Sequence, residues 1–152
     1  MEVFRISREK FSHKITASGK SNRWNLDDQF VVYTSGSRSL CSLELVGHRA
    51  SIIPVHKYKM LIIAITDQEE LYTTILQRDL PKNWRSTAGY SDLQKLGNEW
   101  YHSNQSLVLK VPSAVIPEEH NFLINTSHPD FKDAAKVSLV RTEDYFWDDR
   151  LL

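Results

Sequence analysis

Four side chains suited to ligand chemistry follow one another between residues 22 and 48. The cationic fork of Arg23 comes first, and the ring and hydroxyl of Tyr33 follow it. The carboxylate of Glu44 and the imidazole of His48 come next, four residues apart, which places them on one face of a helix. Such a set can bind an anionic ligand that carries a ring and set a carboxylate against it. The pattern predicts an enzyme site on an otherwise structural chain.

A loop, a strand and a helix must position these side chains. Residues 30–34 are apolar and β-branched, which predicts a buried strand after the loop that carries Arg23. Ser35 or Ser37 then caps a helix. In that helix Leu40, Leu43 and Val46 have helical spacing and are expected to face the core.

The remaining elements predict the fold class. Alternation or apolar runs indicate strands at residues 3–6, 59–66, 106–111, 122–125 and 137–142. A second helix is expected after a Ser91 cap, interrupted by Gly97, and residues 67–78 are predicted to form an exposed helix. Because about six strands do not alternate strictly with helices, the class is α+β or mixed α/β in one domain over residues 1–152.

Composition excludes several classes of protein. Nineteen basic residues balance nineteen acidic ones, so the surplus of cations that nucleic-acid binding needs is absent. The longest apolar run, residues 60–65, is far shorter than the roughly 20 residues that span a bilayer, so no membrane contact and a soluble, cytoplasmic protein are expected. The histidines lack metal-ligand spacing, the glycines form no phosphate loop, and the single cysteine, Cys41, is expected to be a small buried residue.

Several blocks, in order along nearly the whole chain, carry a resemblance to a known family. They are Phe4-Arg5-Ile6-Ser7, Arg23-Trp24-Asn25, Val32-Tyr33-Thr34, Leu43-Glu44 with His48, Leu80-Pro81-x-x-Trp84, Leu96-Gly97-x-x-Trp100, Ser106-Leu107-x-Leu109-x-Val111-Pro112-Ser113, Glu119-x-Asn121-Phe122 through Asn125, and His128-Pro129-Asp130-Phe131. Together they resemble the RES-domain toxins of RES–Xre toxin–antitoxin pairs. One departure is visible, because Ser21-Asn22 stands where family members often carry two glycines.

The resemblance implies a fold, an activity and a partner. The fold is similar to diphtheria-type ADP-ribosyltransferases, with a central, mostly antiparallel split sheet flanked by helices. Members consume NAD as a substrate, without a resident cofactor, by hydrolysis or with inorganic phosphate as co-substrate, and one line transfers ADP-ribose to a metabolic enzyme. The implied partner is a Xre-family antitoxin whose C-terminal part occludes the active site, and homo-oligomers or hetero-oligomers with the antitoxin stay open.

The resemblance also implies the catalytic residues. The arginine, glutamate and serine that name the family match Arg23, Glu44 and Ser113. Glu44 is expected to stabilise an oxocarbenium-like ribose, to orient its hydroxyls or to activate the nucleophile. Arg23 is expected to hold diphosphate or ribose, or else to stack on Trp24. Ser113 is expected to contact ribose or fix the Glu44 carboxylate, or else to form a turn.

Three further positions match substrate-binding positions of the family. Tyr33 is expected to stack on nicotinamide or hydrogen-bond near it, or else to pack in the core. His48 is expected to bind a phosphate or position Glu44, or else to be a core residue. Asn125 is expected to contact the ligand or to form a turn.

Three hypotheses follow for the function of the chain. The first is an NAD-degrading toxin, the second a protein ADP-ribosyltransferase with the same site, and the third a non-catalytic module that captures a partner segment. For either enzyme, Arg23, Tyr33, Glu44 and Ser113 should converge on one pocket large enough for a nicotinamide riboside.

Overall fold

The computed structural model describes residues 1–48 and 52–151 and has an α+β fold. Within these ranges one seven-stranded sheet is accompanied by two α-helices and several short 3₁₀ turns. The strands are β1 (Glu2–Arg8), β2 (Val31–Ser35), β3 (Tyr58–Ile65), β4 (Tyr72–Thr74), β5 (Val108–Pro112), β6 (His120–Asn125) and β7 (Val137–Tyr145), and the helices are α1 (Arg38–Gly47) and α2 (Tyr90–Ser103).

The sheet has the order β4-β5-β6-β2-β1-β3-β7 and is antiparallel except where β4 pairs with β5. Strands β1 and β3 pair along the whole length of β1, but β1 and β2 are joined only at Phe4 and Ser35. The sheet is therefore split between β2 and β1, which confirms the predicted mostly antiparallel split sheet.

Both helices pack on the same face of the sheet. Because directly paired residues and alternate residues share a face, the register places Leu123, Tyr33, Ser35 and Phe4 together. Helix α1 packs through Cys41 against Phe4, and α2 packs through Leu93 and Trp100 against Leu123. The opposite face of the sheet carries a separate hydrophobic cluster, which includes Val3, Val32, Leu61, Ile63 and Ile124. The split consequently opens on the face that carries α1.

Four local predictions were wrong, and the first three concern residues 67–78, Ser91 and Leu43. Residues 67–78 contain no α-helix, because Tyr72–Thr74 pairs in parallel with β5 and is flanked by 3₁₀ turns. Helix α2 begins at Tyr90 after Gly89, so Ser91 lies inside the helix instead of capping it. In α1 the buried residues are Leu40 and Cys41, whereas Leu43 is exposed.

Gly97 does not interrupt α2, and a side chain is excluded there by the loop that carries Arg23. A Cβ atom at Gly97 would lie 1.6 Å from the Trp24 carbonyl oxygen and 2.7 Å from its carbonyl carbon. The helix and the backbone of Trp24 are thus in direct contact, and the absent side chain makes this possible.

We expect Gly97→Ala to lower the free energy of unfolding by about 1–3 kcal/mol or more, because the helix and the loop must separate. This loss opposes the gain of about 1 kcal/mol that alanine brings to an ordinary helix position. Gly47→Ala is the matched control, since its added Cβ would meet only Val115, at 3.9 Å. Urea unfolding of both variants measures the difference, and equal stabilities would contradict the close approach.

Candidate active site

A cleft of about 450 Å³ lies where β1 and β2 separate, a size suited to a small-molecule ligand. Tyr33 and Ser35 of β2, Arg5 of β1 and Glu44 of α1 contribute to its walls. His48, the residue that follows α1, also lines it. The split in the sheet thus brings a carboxylate, an imidazole, an aromatic ring and a guanidinium to one cavity.

The Glu44 carboxylate is held through one of its two oxygens. Its Oε1 accepts a hydrogen bond from Ser113 Oγ at 2.6 Å and another from Asn121 Nδ2 at 2.5 Å. In the described part of the chain Oε2 accepts no hydrogen bond, and it is not a buried atom lacking a partner. One oxygen is fixed by protein donors, and the other is left open to the cleft.

Both donors to Glu44 are themselves held in place. Ser113 Oγ accepts from the amides of Val115 and Ile116, each at 3.1 Å, so its proton is directed at Glu44. Asn121 Oδ1 accepts from Ser35 Oγ at 2.8 Å, which fixes the orientation of the amide. Glu44 lies in the last turn of α1, where the helix dipole disfavours negative charge, and the two donors offset that effect.

Tyr33 lines the cleft, and its hydroxyl forms hydrogen bonds with the loop at residues 22–25. The hydroxyl accepts from the Trp24 amide at 3.1 Å and donates to Asn25 Oδ1 at 2.6 Å. Burial raises the pKa of Tyr33, so the proton that makes the second bond is retained at neutral pH. Tyr33 therefore both lines the cleft and fastens the loop beside it.

Arg23 does not line the cleft. Its Nη1 donates to the carbonyl oxygens of Trp84 at 3.0 Å and Arg85 at 3.2 Å, and its guanidinium lies 4.7 Å from the centre of the Tyr90 ring. The stacking partner is thus Tyr90 and not Trp24. These contacts hold the Arg23 guanidinium against the backbone of residues 84–85 and the ring of Tyr90.

Asn125 also lies outside the cleft lining and is fully buried. Its Nδ2 donates to the Tyr101 carbonyl at 3.1 Å, and its Oδ1 accepts from the Ser127 amide at 2.9 Å. Asn125 therefore holds the turn after β6 against the end of α2, which corresponds to the turn-forming alternative. Of the predicted site residues, Tyr33, Glu44 and His48 line the cleft, and Ser113 reaches it through Glu44.

Several residues at the cleft received no role from the sequence, among them Asn121 and Arg5. Asn121 lay within a family block, but only the register of β6 against β2 shows that it reaches Glu44. Arg5 stands between the apolar residues Phe4 and Ile6 in β1, and a charge flanked in this way was the available signal. Cys41 also lines the cleft, where burial raises its pKa to about 12 and keeps it a neutral thiol, as expected for a small buried residue.

Within residues 1–48 and 52–151 no group of three or more His, Cys, Asp and Glu side chains could hold a metal ion. In the same ranges, neither α-helix is long and apolar enough to cross a membrane.

The comparisons with known proteins agree with this split-sheet α+β fold. A chain in the crystal structure of the M. tuberculosis MbcT–MbcA toxin–antitoxin complex superposes with a TM-score of 0.76 at 17% identity, covering 95% of this chain and 83% of that chain. At this identity the likeness concerns the fold alone. The family model of the RES domain matches residues 2–148, and the chain belongs to the RES domain family.

Curated relatives cover most of the chain. "Toxin Res" of Yersinia enterocolitica serotype O:8 / biotype 1B is 33% identical over 130 residues, which are 85% of this chain and 82% of that protein. "Prs ADP-ribosylating toxin" of Sphingobium sp. (strain YBL2) is 32% identical over 132 residues, which are 86% of this chain and 80% of that protein.

We expect Tyr33→Phe to lower the free energy of unfolding by about 1–3 kcal/mol, because the Trp24 amide and Asn25 Oδ1 both lose their partner. Tyr90→Phe is the control, since the Tyr90 hydroxyl makes no hydrogen bond to a described residue, and its change should stay within about 0.5 kcal/mol. Denaturant unfolding of the two variants measures the difference. Equal losses would show that the Tyr33 hydroxyl does not fasten the loop.

Proposed function

We propose that this protein is the toxin of a toxin–antitoxin pair and that it cleaves NAD between nicotinamide and ribose. The observation that carries the proposal is the Glu44 carboxylate, with Oε1 held by two donors and Oε2 open to a cleft of about 450 Å³. The names of the two relatives described above, "Toxin Res" and "Prs ADP-ribosylating toxin", support both the toxin role and chemistry at the ribose of NAD.

Cleavage of this bond places positive charge on the ribose. The bond from ribose C1′ to the nicotinamide nitrogen breaks, its electron pair leaves with neutral nicotinamide, and C1′ becomes oxocarbenium-like. A carboxylate that is already fixed stabilises this charge without reorganising during the reaction. Water or phosphate then bonds to C1′ and loses a proton. We assign two roles to Glu44 Oε2: it stabilises the oxocarbenium-like ribose, and it accepts the proton that the incoming nucleophile loses.

The other side chains divide between ligand contact and positioning. Tyr33 offers its ring to nicotinamide, and His48 lies at the end of α1, where it can contact the ligand. Ser113 acts through the carboxylate that it holds. Arg23 and Asn125 support the surrounding loops: Arg23 contacts the Trp84 carbonyl and the Tyr90 ring, and Asn125 donates to the Tyr101 carbonyl.

A protein acceptor is the second candidate function, because one relative is named a Prs ADP-ribosylating toxin. The same Glu44 would serve, and only the nucleophile at C1′ would differ.

We further propose that a Xre-family antitoxin covers the cleft with its C-terminal part. The fold neighbour from a toxin–antitoxin complex supports the existence of an antitoxin partner.

The test is to incubate antitoxin-free protein with NAD, with and without phosphate, and to follow nicotinamide by chromatography. We expect release without any acceptor protein, and Glu44→Gln should slow it about a hundredfold or more. Glu99→Gln, a change at an exposed glutamate of α2, is the control and should leave the rate unchanged.

The outcomes separate the alternatives. Faster release with phosphate indicates phosphorolysis, and release that requires an added protein indicates ADP-ribosylation. Folded wild-type protein that releases no nicotinamide under any of these conditions would refute NAD cleavage. Expression of wild-type and Glu44→Gln protein in bacteria without antitoxin tests toxicity, and only the wild type should arrest growth.

We expect Asn121→Ala to lower kcat about tenfold with little change in KM, because the carboxylate loses one of its two donors. Asn121→Asp should lower kcat further, since it places a second negative charge against Glu44. Asn83→Ala removes an exposed amide without hydrogen bonds to described residues and is the control. A loss of stability with unchanged kcat would mean that Asn121 serves only the fold.

A further inference from the structure

The cleft contains a cationic side that the cleavage chemistry does not use. Arg5 and Lys20 line it, as does His48, whereas Glu44 is the only carboxylate among the described lining residues. Among those residues, two permanent cations accompany one anion. Arg23, the arginine that the sequence suggested for an anionic group, is engaged with the carbonyls of Trp84 and Arg85 instead.

Arg5 has few protein partners for a partly buried cation. Its one side-chain hydrogen bond to a described residue runs from Nη1 to the Tyr33 carbonyl at 3.4 Å. It forms no salt bridge within the described ranges. Burial lowers the pKa of its guanidinium, but an arginine keeps its charge at neutral pH. A charge in this setting is costly unless something pairs with it.

Most N–H groups of Arg5 have no partner among the described residues. A guanidinium has five N–H donors, and the bond to Tyr33 uses one of them. In the described part of the chain, Trp147 Nε1 is the only buried side-chain nitrogen or oxygen without a partner. The Nε and Nη2 atoms of Arg5 make no hydrogen bond to a described residue. Because Arg5 lines the cleft, these donors are available to a ligand there.

Lys20 belongs to a polar segment on the same cavity. Ser18, Ser21 and Asn22 also line the cleft, so this side offers hydroxyl and amide groups along with the ammonium. The Lys20 side chain is exposed and forms no salt bridge with a described residue. Its segment is fixed through the backbone, since Asn25 Nδ2 donates to the Lys20 carbonyl at 2.9 Å.

We propose that Arg5 and Lys20 form an anion subsite that binds the diphosphate of a dinucleotide. The inference rests on the proposed function, because it places the diphosphate of the same substrate whose ribose meets Glu44. The forked donors of Arg5 match two phosphate oxygens, and Lys20 supplies a mobile point charge. The subsite makes Arg5, and not Arg23, the arginine that contacts the substrate.

Binding is the first test, and it does not depend on turnover. Isothermal titration of wild-type protein with ADP-ribose and with inorganic pyrophosphate should show binding that weakens as salt rises. Arg5→Gln should weaken ADP-ribose binding about tenfold or more, and Lys20→Gln should weaken it severalfold. Arg78→Gln is the control, since Arg78 is exposed and makes no side-chain hydrogen bond to a described residue. Unchanged affinity in both Arg5→Gln and Lys20→Gln would overturn the subsite.

Two further arms keep the test decisive. If Arg5→Gln does not fold, Arg5→Lys replaces it, retaining the charge but not the fork, and Lys20→Gln alters only an exposed residue.

Where the wild type cleaves NAD, the Arg5 variant should raise KM for NAD but not for nicotinamide riboside, which has no phosphate. Equal effects on both substrates would overturn the diphosphate assignment. A wild type that binds ADP-ribose but releases no nicotinamide would retain the subsite and reject the proposed cleavage.

Discussion

The cleft exists because two neighbouring strands stop pairing. Strands β1 and β2 are joined only at Phe4 and Ser35, so the backbone groups beyond that pair need other partners. The Tyr33 carbonyl obtains one from the Arg5 side chain at 3.4 Å. A continuous ladder between β1 and β2 would close this opening. The same irregularity that interrupts the sheet therefore creates its cavity and brings a guanidinium to the edge of it.

A chain of contacts connects the family arginine to the carboxylate without placing both in the cleft. Arg23 holds the carbonyls of Trp84 and Arg85, and Arg85 Nε donates to the Ala114 carbonyl at 2.8 Å. Ala114 follows Ser113, whose hydroxyl donates to Glu44. The three residue types that name the family thus belong to one network. Within it, Glu44 faces the ligand cavity, Ser113 holds Glu44, and Arg23 fixes the segment that leads to Ser113.

The sequence predicted what local patterns determine. The apolar run of β3 and the helix that presents Glu44 follow from composition and spacing, and the contact of Ser113 with Glu44 was one of the roles that the family resemblance implied. The prediction for residues 67–78 was wrong because β4 is determined by pairing with β5, which lies more than thirty residues away. The orientation of the Arg23 side chain could not be predicted from the sequence either, since its partner Trp84 is 61 positions away. Asn121 gained its role only through the register of β6 against β2, and Arg5 gained its role through its place in the cleft lining.

The cleft is lined by side chains of opposite charge, and this limits which ligands fit. Two donors hold Oε1 of the Glu44 carboxylate, and Oε2 accepts no hydrogen bond from a described residue. The Arg5 and Lys20 side chains leave cationic donors in the same cavity. A ligand that develops positive charge at one atom and carries negative charge at another can pair with both kinds of group, whereas a purely anionic ligand such as pyrophosphate gains only the cationic contacts. In a dinucleotide, the ribose at the cleaved bond and the diphosphate are separate in this way, so binding the diphosphate would favour the orientation that presents the ribose to Glu44.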